Sequence, residues 1–168
     1  MNREIVNNVL LFISLILLQV IVLNNINFLG YLNPMLYILF IFFYPLKKLD
    51  GTFLVLSFLL GLSVDFFANS GGVNAAATLF IAFIRIPVVK GVLGKTELDF
   101  TAFSFRKLKF GNMVSILFIL TLIHHFIVFQ LEYFRFDNLL GILLKTFLTS
   151  IFTLVLLLLS FIFFSKEK

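Results

Sequence analysis

The chain has 168 residues, of which 61% are hydrophobic and only 12% are charged, and its formal net charge is +5. A water-soluble domain carries about 25% charged residues, so this composition excludes an ordinary soluble surface. It indicates an integral membrane protein, because apolar side chains can face lipid. The sequence contains no cysteine, which excludes disulfides, thiolate chemistry and cysteine-ligated metals.

Long apolar runs predict an all-α protein with six transmembrane helices rather than a β-barrel, whose strands are about ten residues long and strictly alternating. The second run lies between Pro34 and Pro45 and is short, which indicates a thin-membrane, broken or shielded helix. Pro87 predicts that the fourth run ends at Ile86. We expect one domain, residues 1–168, with spans at approximately 5–23, 34–46, 52–67, 73–86, 112–131 and 139–164.

The cations lie on alternate connections between these runs. Six spans put Arg3, the Lys47–Lys48 turn, the 88–111 loop and the 165–168 tail on one side of the membrane. The turns on the other side contain one cation, Arg135. Loops that stay in the cytoplasm carry an excess of Lys and Arg, so we expect the basic side and both termini to be cytoplasmic. Because topology explains the positive charge, no nucleic-acid partner is expected.

Asp65 is the acidic residue that most needs an explanation, since a carboxylate beside hydrocarbon is costly. Gly61 lies four residues earlier and shares its helical face. A break that ends at Gly72 separates Asp65 from the next apolar run. Asp65 either lines an internal cavity or contacts a partner, or it bonds the following turn and the free N–H groups of the next helix.

Two stripes of small residues are candidate surfaces for helix packing: Ala75 with Ala82, and Thr146, Thr149 and Thr153. His124 and His125 lie in the middle of the fifth run, where they can bond across helices, relay protons or bind metal. Adjacent histidines point about 100° apart on a helix, and no metal-binding spacing accompanies them. Hydrogen bonding between helices is therefore the favoured interpretation.

Several basic residues are candidates for contact with lipid headgroups or a cytoplasmic partner: Arg85, Arg106, Lys107 and Lys109. The topology of an inside loop would produce the same residues. Lys145 can extend toward the membrane surface or pair with Glu132 or Asp137. The sequence shows no nucleophile–base pair, paired carboxylates or phosphate-binding loop, so we expect neither an enzyme nor a cofactor.

The pattern resembles the bacterial rod-shape-determining protein family MreD, and most closely its Bacteroidetes-type members. The resemblance rests on chain size, span number and the motif Gly61-x-x-x-Asp65, followed by Gly72 and Ala75-Ala76-Ala77. It also rests on the segments AFIR (82–85) and LIHHF (122–126). It implies a non-enzymatic component of the cell-wall elongation machinery in the bacterial inner membrane, which contacts lipid and the bitopic protein MreC. Indirect partners would be MreB, RodA and a transpeptidase.

The same family is similar to the substrate-binding subunits of energy-coupling-factor vitamin transporters. That similarity implies a six-helix fold with an internal cavity on the periplasmic side, near whose mouth Asp65 would lie. A membrane-embedded subunit that binds a vitamin-type small molecule is therefore the alternative function. The residues that we expect at a cavity or a partner contact are Gly61, Asp65, Gly72, Ala75, Ala82 and His125.

Overall fold

A computed structural model of the chain is a helical bundle, and it describes residues 3–26, 32–46, 51–95, 97, 103–133 and 139–165. The α-helices of this part of the chain are α1 (Arg3–Leu17), α2 (Leu39–Phe43), α3 (Gly51–Ala68), α4 (Val73–Leu93), α5 (Phe110–Tyr133) and α6 (Leu139–Ser165). A π-helical turn and a 3₁₀ turn extend α1 to Asn25. Further 3₁₀ turns precede α2 at Leu36–Ile38 and α5 at Phe105–Lys107.

Five of these helices are long and apolar enough to cross a membrane, which defines a membrane-embedded helical protein. They cover Val6–Asn25, Gly51–Ala68, Val73–Leu93, Phe110–Tyr133 and Leu139–Phe163. Their outer surfaces are strongly apolar, and Phe66 and Leu140 are each 81% exposed. Such side chains are favourable against lipid, so the prediction of an all-α membrane protein is confirmed.

The interior holds a core of apolar side chains together with an unusual number of polar ones. The second group, all buried, comprises Gln19, Ser57, Asp65, Asn74, Thr78, Arg85, Thr121, His124, His125, Thr146, Thr149, Ser150 and Thr153. Polar groups placed inside a bundle in lipid can bond to neighbouring helices, whereas the surrounding hydrocarbon offers them no partner. Asn74, Arg85, His124 and His125 bond to other elements of the bundle. The hydroxyls of Thr121, Thr146, Thr149 and Ser150 have no hydrogen-bond partner in the described part of the chain. A subset of these groups therefore holds the helices together in addition to packing.

Consecutive helices from α3 to α6 pack against one another, and individual contacts show that their directions alternate. A short turn at residues 69–72 joins α3 to α4, and we call the end of the bundle that carries it the turn end. Thr78, early in α4, lies 3.5 Å from the ring of His124, late in α5. Lys145, early in α6, bonds to Tyr133 at the end of α5. Thus α3 and α5 end, and α4 and α6 begin, at the turn end.

The first two helices continue this alternation. Gln19, beyond the end of α1, bonds to the backbone N–H of Leu36 at the start of the second helical segment. Phe12, earlier in α1, contacts Phe40, later in that segment, with ring centroids 5.6 Å apart. The chain therefore runs toward the turn end in α1 and away from it in residues 36–43.

The second segment is short and lies inside the bundle. It consists of 3 residues of 3₁₀ helix and 5 residues of α-helix, and Tyr37, Ile38 and Ile41 are each 0% exposed. Of the alternatives for the second run, the structure therefore has a short broken helix that its neighbours shield from lipid. It is too short to be one of the five helices that can cross a membrane.

The predicted end of the fourth helix at Ile86 is wrong, because α4 continues through Pro87 to Leu93. Proline removes one helical hydrogen bond, but helices in lipid tolerate this loss where their neighbours support them. Here Val89, two residues after the proline, is 0% exposed and packs in the core. Gly94 then ends the helix in a left-handed conformation (φ 62°), with its N–H bonded to the carbonyl of Gly91.

Candidate functional site

Asp65 binds the start of α4 with both of its carboxylate oxygens. Oδ1 accepts a hydrogen bond from the backbone N–H of Asn74 (2.9 Å), and Oδ2 accepts one from Ala75 (2.7 Å). Oδ1 also accepts bonds from the side chains of Ser70 and Asn74. An anion is favourable at a helix N-terminus, where backbone N–H groups lack helical partners. The structure thus gives Asp65 the second of its two predicted roles.

Gly61 explains the close approach of α3 to α4 beside this cap. A Cβ atom at Gly61 would lie 2.5 Å from the carbonyl oxygen of Asn74 and 2.6 Å from the Cα of Ala75. Real side-chain atoms do not approach a backbone so closely, so only glycine fits at this position. Gly61 admits the first turn of α4 and Asp65 bonds it, so the Gly-x-x-x-Asp motif forms one structural unit.

A chain of hydrogen bonds links this cap to the second helical segment and to α5. The Tyr37 hydroxyl donates to Oδ1 of Asn74 (2.8 Å). Its oxygen therefore accepts from the Nε2–H of His124, 2.9 Å away. All three side chains are buried. Four separate elements are thereby fixed to one another near the turn end of the bundle.

The beginning of the second segment is held by side chains from α1 and α6. Gln19 donates to the carbonyl of Pro34 (3.1 Å) and accepts from the N–H of Leu36 (2.9 Å). The hydroxyl of Thr153 accepts from the N–H of Met35, 3.3 Å away. Backbone groups that the short helix leaves open are therefore satisfied by neighbouring side chains.

His125 supports this arrangement from α5. A backbone carbonyl can only accept, so Nδ1–H of His125 donates to the carbonyl of Thr121 (2.8 Å). Nε2 is then left to accept from the hydroxyl of Thr153, 3.1 Å away. Both ring nitrogens are used within the bundle, as expected for hydrogen bonding between helices. In the part of the chain that the structure describes, no three His, Asp or Glu residues lie close enough to hold a metal ion.

Arg85 holds the other end of the second segment. Its guanidinium donates to the carbonyls of Ile41 (2.6 Å), Tyr44 (3.0 Å) and Pro45 (3.3 Å). The group also stacks on Phe53, with its central carbon 3.9 Å from the ring centroid. A cation that bonds the last carbonyls of a helix complements the negative end of the helix dipole. The short helix is thus capped at both ends by side chains from longer helices.

Six residues predicted to meet lipid or a partner are instead buried within the chain. Arg85 is only 1% exposed, so the structure gives it a role different from the predicted headgroup contact. Ala75 and Ala82 are 1% and 5% exposed, because α3 and the other helices of the bundle already cover this face. The stripe Thr146, Thr149 and Thr153 is buried as well. A partner helix has no access to either stripe.

Between the second segment and the turn end, the bundle forms a cavity of about 430 Å³ that is open to its surroundings. Met35 and Tyr37 line it from below, because the second segment begins well inside the bundle. Residues of α1, α5, α6 and the α3–α4 corner form its walls. The space corresponds to the helical turns that the short second helix lacks. Its size lies within the usual range for small-molecule sites.

The cavity is lined by polar and apolar groups in comparable number. Its polar side chains are Gln19, Asn24, Asn25, Ser70, Asn74 and Glu132, together with Asn33, Tyr37 and Lys145. Asp65 does not line it, but bonds to Ser70 and Asn74, which do. Gly72 and His125 are not part of the lining either. Gly72 serves the turn instead, with a left-handed φ of 91° immediately before α4.

Two charged residues, Glu132 and Lys145, lie at this cavity. The Lys145 ammonium donates to the Tyr133 hydroxyl (2.8 Å) and lies 4.6 Å from the ring centroid of Phe129. Among the described residues it forms no ion pair with Glu132, one of the predicted possibilities. Asp137, the other predicted partner of Lys145, lies outside the described residues.

The remaining predicted cations lie at the opposite end of the bundle. Lys107 and Lys109 are exposed and lie just before α5, which begins at Phe110. The side chain of Arg106 falls outside the described part of the chain. Nearby, Phe105 is buried and packs edge-on against Phe42, which attaches this loop to the core.

Sequence analysis did not single out Gln19, Tyr37 or Asn74, although they organise the site. The signal for Gln19 is available, since it is the only strongly polar side chain between Val9 and Leu23. Tyr37 and Asn74 carry no comparable signal, because a tyrosine or an asparagine near a helix end is ordinary. Their partners are distant in sequence and are identified only by the fold.

Taken together, the fold and the cavity define a helical membrane protein with an open cavity of mixed polar and apolar lining at one end. Comparison of the chain with protein-family models, with curated proteins and with solved structures gives no significant match.

Proposed function

We propose that this chain is an integral membrane component of the bacterial cell-wall elongation machinery that maintains rod shape, as the resemblance to the MreD family implies. It acts by contact with an MreC-like bitopic protein and, through it, with MreB, RodA and a transpeptidase. No catalytic step is assigned to it.

The observation that carries this proposal is the structural unity of the motif behind the resemblance. Gly61, Asp65 and the alanines that begin with Ala75 form one close-packed corner between α3 and α4. Residues that contact one another in this way identify a family more specifically than the same residue types at a given spacing in the sequence. The partner's span contacts a lipid-facing surface, since Ala75 and Ala82 are buried.

The proposed topology has six crossings in the inner membrane, with both termini in the cytoplasm. The alternating directions of α1 to α6 support it, and so does the distribution of described cations. Lys90, Lys95, Lys107 and Lys109 lie at the end opposite the turn end. Cytoplasmic loops are rich in such residues. In this arrangement residues 32–46, which contain the short second segment, cross the membrane, and the other five helices shield that segment from lipid.

Single cysteines test the topology cleanly, because the chain contains none. We expect Lys95→Cys and Glu132→Cys to react with a membrane-impermeant maleimide from opposite faces of the membrane. Labelling of both positions from the same face would contradict the six-crossing arrangement and the assignment with it.

Depletion in the native host tests the function. We expect rounded cells and loss of lateral wall synthesis, restored by the wild-type chain. A Gly61→Leu chain should fail to restore shape, because the α3–α4 corner cannot close around the larger side chain. Rod-shaped cells with normal wall incorporation after depletion would refute the proposal.

The cavity favours a second candidate function, that of a vitamin-type small-molecule binding subunit of a transporter. A volume of about 430 Å³ lined by amides, a phenol and two charged groups suits a polar small molecule. A small molecule that co-purifies with the chain, and is identified by mass spectrometry after denaturation, would support this candidate. Its absence from chain purified under native conditions would count against it.

A further inference from the structure

The cavity at the turn end holds one acid and one base that do not neutralise each other. Glu132 and Lys145 both line it, on α5 and α6 respectively. Within the described residues the Glu132 carboxylate has no hydrogen-bond or ion-pair partner. Lys145 is held by aromatic groups instead, through the Tyr133 hydroxyl and the face of Phe129.

Lys145 is half-buried and therefore the more costly of the two charges, whereas Glu132 is exposed in the last turn of α5. Lys145 is six residues into α6, about 9 Å along the helix, and only 12% of the whole chain is charged. A direct ion pair would offset part of the cost, yet the aromatic contacts keep the ammonium on its own side of the cavity. Two opposite charges that line one cavity without pairing with each other can each face a charge on a ligand.

We infer that the cavity binds a zwitterionic small molecule, with Lys145 facing its anionic group and Glu132 its cationic group. The lining between the two charges suits the rest of such a molecule. Asn24 uses its carbonyl oxygen to accept from Gln19, which leaves its amide N–H groups as donors. Asn25 uses its N–H groups on the backbone of α1, which leaves its oxygen as an acceptor.

The walls also favour an apolar portion in the ligand. Phe67, Val128 and Phe129 line the cavity beside these polar groups. An anionic ligand would be attracted by Lys145 but repelled by Glu132. A cationic ligand would be attracted by Glu132 but repelled by Lys145. Only a ligand with both charges satisfies the two groups together. This inference rests on the second candidate function, small-molecule binding, and is independent of the role in cell shape.

A set of four matched probes tests the inference by isothermal titration on purified chain in phosphatidylglycerol nanodiscs. L-alanyl-L-phenylalanine is zwitterionic at pH 7, its N-acetyl form is an anion, its amide is a cation, and the N-acetyl amide is neutral. We expect the zwitterion to bind about tenfold more tightly than each of the other three, because each lacks at least one charge contact.

Two substitutions assign the charges. In Glu132→Gln the advantage of the zwitterion over the N-acetyl form should disappear, because the ammonium loses its counter-charge. In Lys145→Met the advantage over the amide should disappear for the matching reason. Lys145→Arg, which keeps the charge, should retain it. Lys95→Gln and Glu97→Gln change exposed charges away from the cavity and serve as controls.

A zwitterion can be a soluble molecule or the headgroup of phosphatidylethanolamine. Titrations are therefore repeated in nanodiscs that also contain phosphatidylethanolamine. Loss of probe binding there assigns the site to a lipid headgroup, and unchanged binding assigns it to a soluble ligand. Equal affinity for all four probes would overturn the charge selection alone. No binding of any probe to the folded wild-type chain would overturn the inference, whereas the second candidate function is tested separately by the co-purification experiment.

Discussion

Gly61 and Ala75 bring α3 and α4 together so closely that a single methyl group at Gly61 would lie 2.6 Å from the Cα of Ala75. The neighbouring contact with the Asn74 carbonyl oxygen would be shorter still. Both atoms belong to the backbone and cannot rotate away as a flexible side chain would. Any substitution at Gly61 must therefore separate the two helices and stretch the bonds of the Asp65 cap.

Gly61→Ala tests this packing. We expect it to lower the free energy of unfolding by about 1–3 kcal/mol, the usual effect of overpacking a buried site. Thermal unfolding in detergent, followed by circular dichroism, measures the change. The matched control is Gly91→Ala in α4, where a Cβ meets nothing within 4 Å. That control should be neutral or slightly stabilising, since alanine favours a helix more than glycine does. Equal stability of both variants would contradict the close approach.

The stability of Asp65 variants should depend on how many hydrogen-bond acceptor oxygens the new side chain keeps. Asp65→Asn retains one of the two oxygens that bond to the N–H groups of Asn74 and Ala75, whereas Asp65→Ala retains neither. We expect Ala to destabilise by about 2 kcal/mol, at the upper end of capping effects, and Asn by less. Ser63→Ala is the control, because that hydroxyl bonds only within α3. Similar melting temperatures for Asp65→Ala and the wild type would refute the capping role.

Arg85 variants test the cap on the second helical segment. Arg85→Met removes the donor from the carbonyls of Ile41, Tyr44 and Pro45, and we expect a loss of at least about 2 kcal/mol. Arg85→Lys should recover little, because an ammonium lacks the planar fork and the stacking on Phe53. Lys90→Met, a cation one helical turn further along α4, should have little effect. Full stability of Arg85→Lys would show that charge alone suffices.

A double-mutant cycle tests the bond between His125 and Thr153. Thr153→Val removes the hydroxyl that bonds to both His125 and the N–H of Met35. His125→Phe removes both ring nitrogens, including the one that bonds to Thr121, and places a larger ring at the same buried site. We expect a coupling energy of about 0.6 kcal/mol, the average for hydrogen bonds between transmembrane helices. Strictly additive effects of the two substitutions on unfolding would indicate that the bond contributes nothing.

The sequence predicted the parts of the fold that are determined by contact with lipid. Runs of apolar residues located the five long helices, because lipid accepts such surfaces wherever they occur. Its main error arose at Pro87, which was read as a helix end. That error moved Arg85 to the membrane surface and suggested a headgroup contact. Since α4 runs on to Leu93, the same residue lies inside the bundle and caps another helix.

The contacts of the site were beyond sequence reasoning for a different reason. Asp65 and Asn74 are close in sequence, so a capping role was one of the alternatives from the start. Gln19 and Tyr37 act on groups whose positions are set by the whole bundle, and periodicity says nothing about these pairings. The alanine stripe failed as a partner surface because small residues serve contacts within a chain as readily as contacts between chains.

The capping of the second segment from distant helices has a consequence for the order in which the protein is made. The N–H of Met35 is bonded by a hydroxyl 118 residues further along the chain, and the carbonyl of Ile41 by a guanidinium 44 residues further along. A ribosome therefore delivers this short helix long before its partners, and hydrocarbon offers its backbone no substitutes. The segment must wait in contact with water or with the insertion machinery until α6 arrives. Nascent chains that stop short of Thr153 should consequently be recognised as incomplete by membrane quality-control proteases.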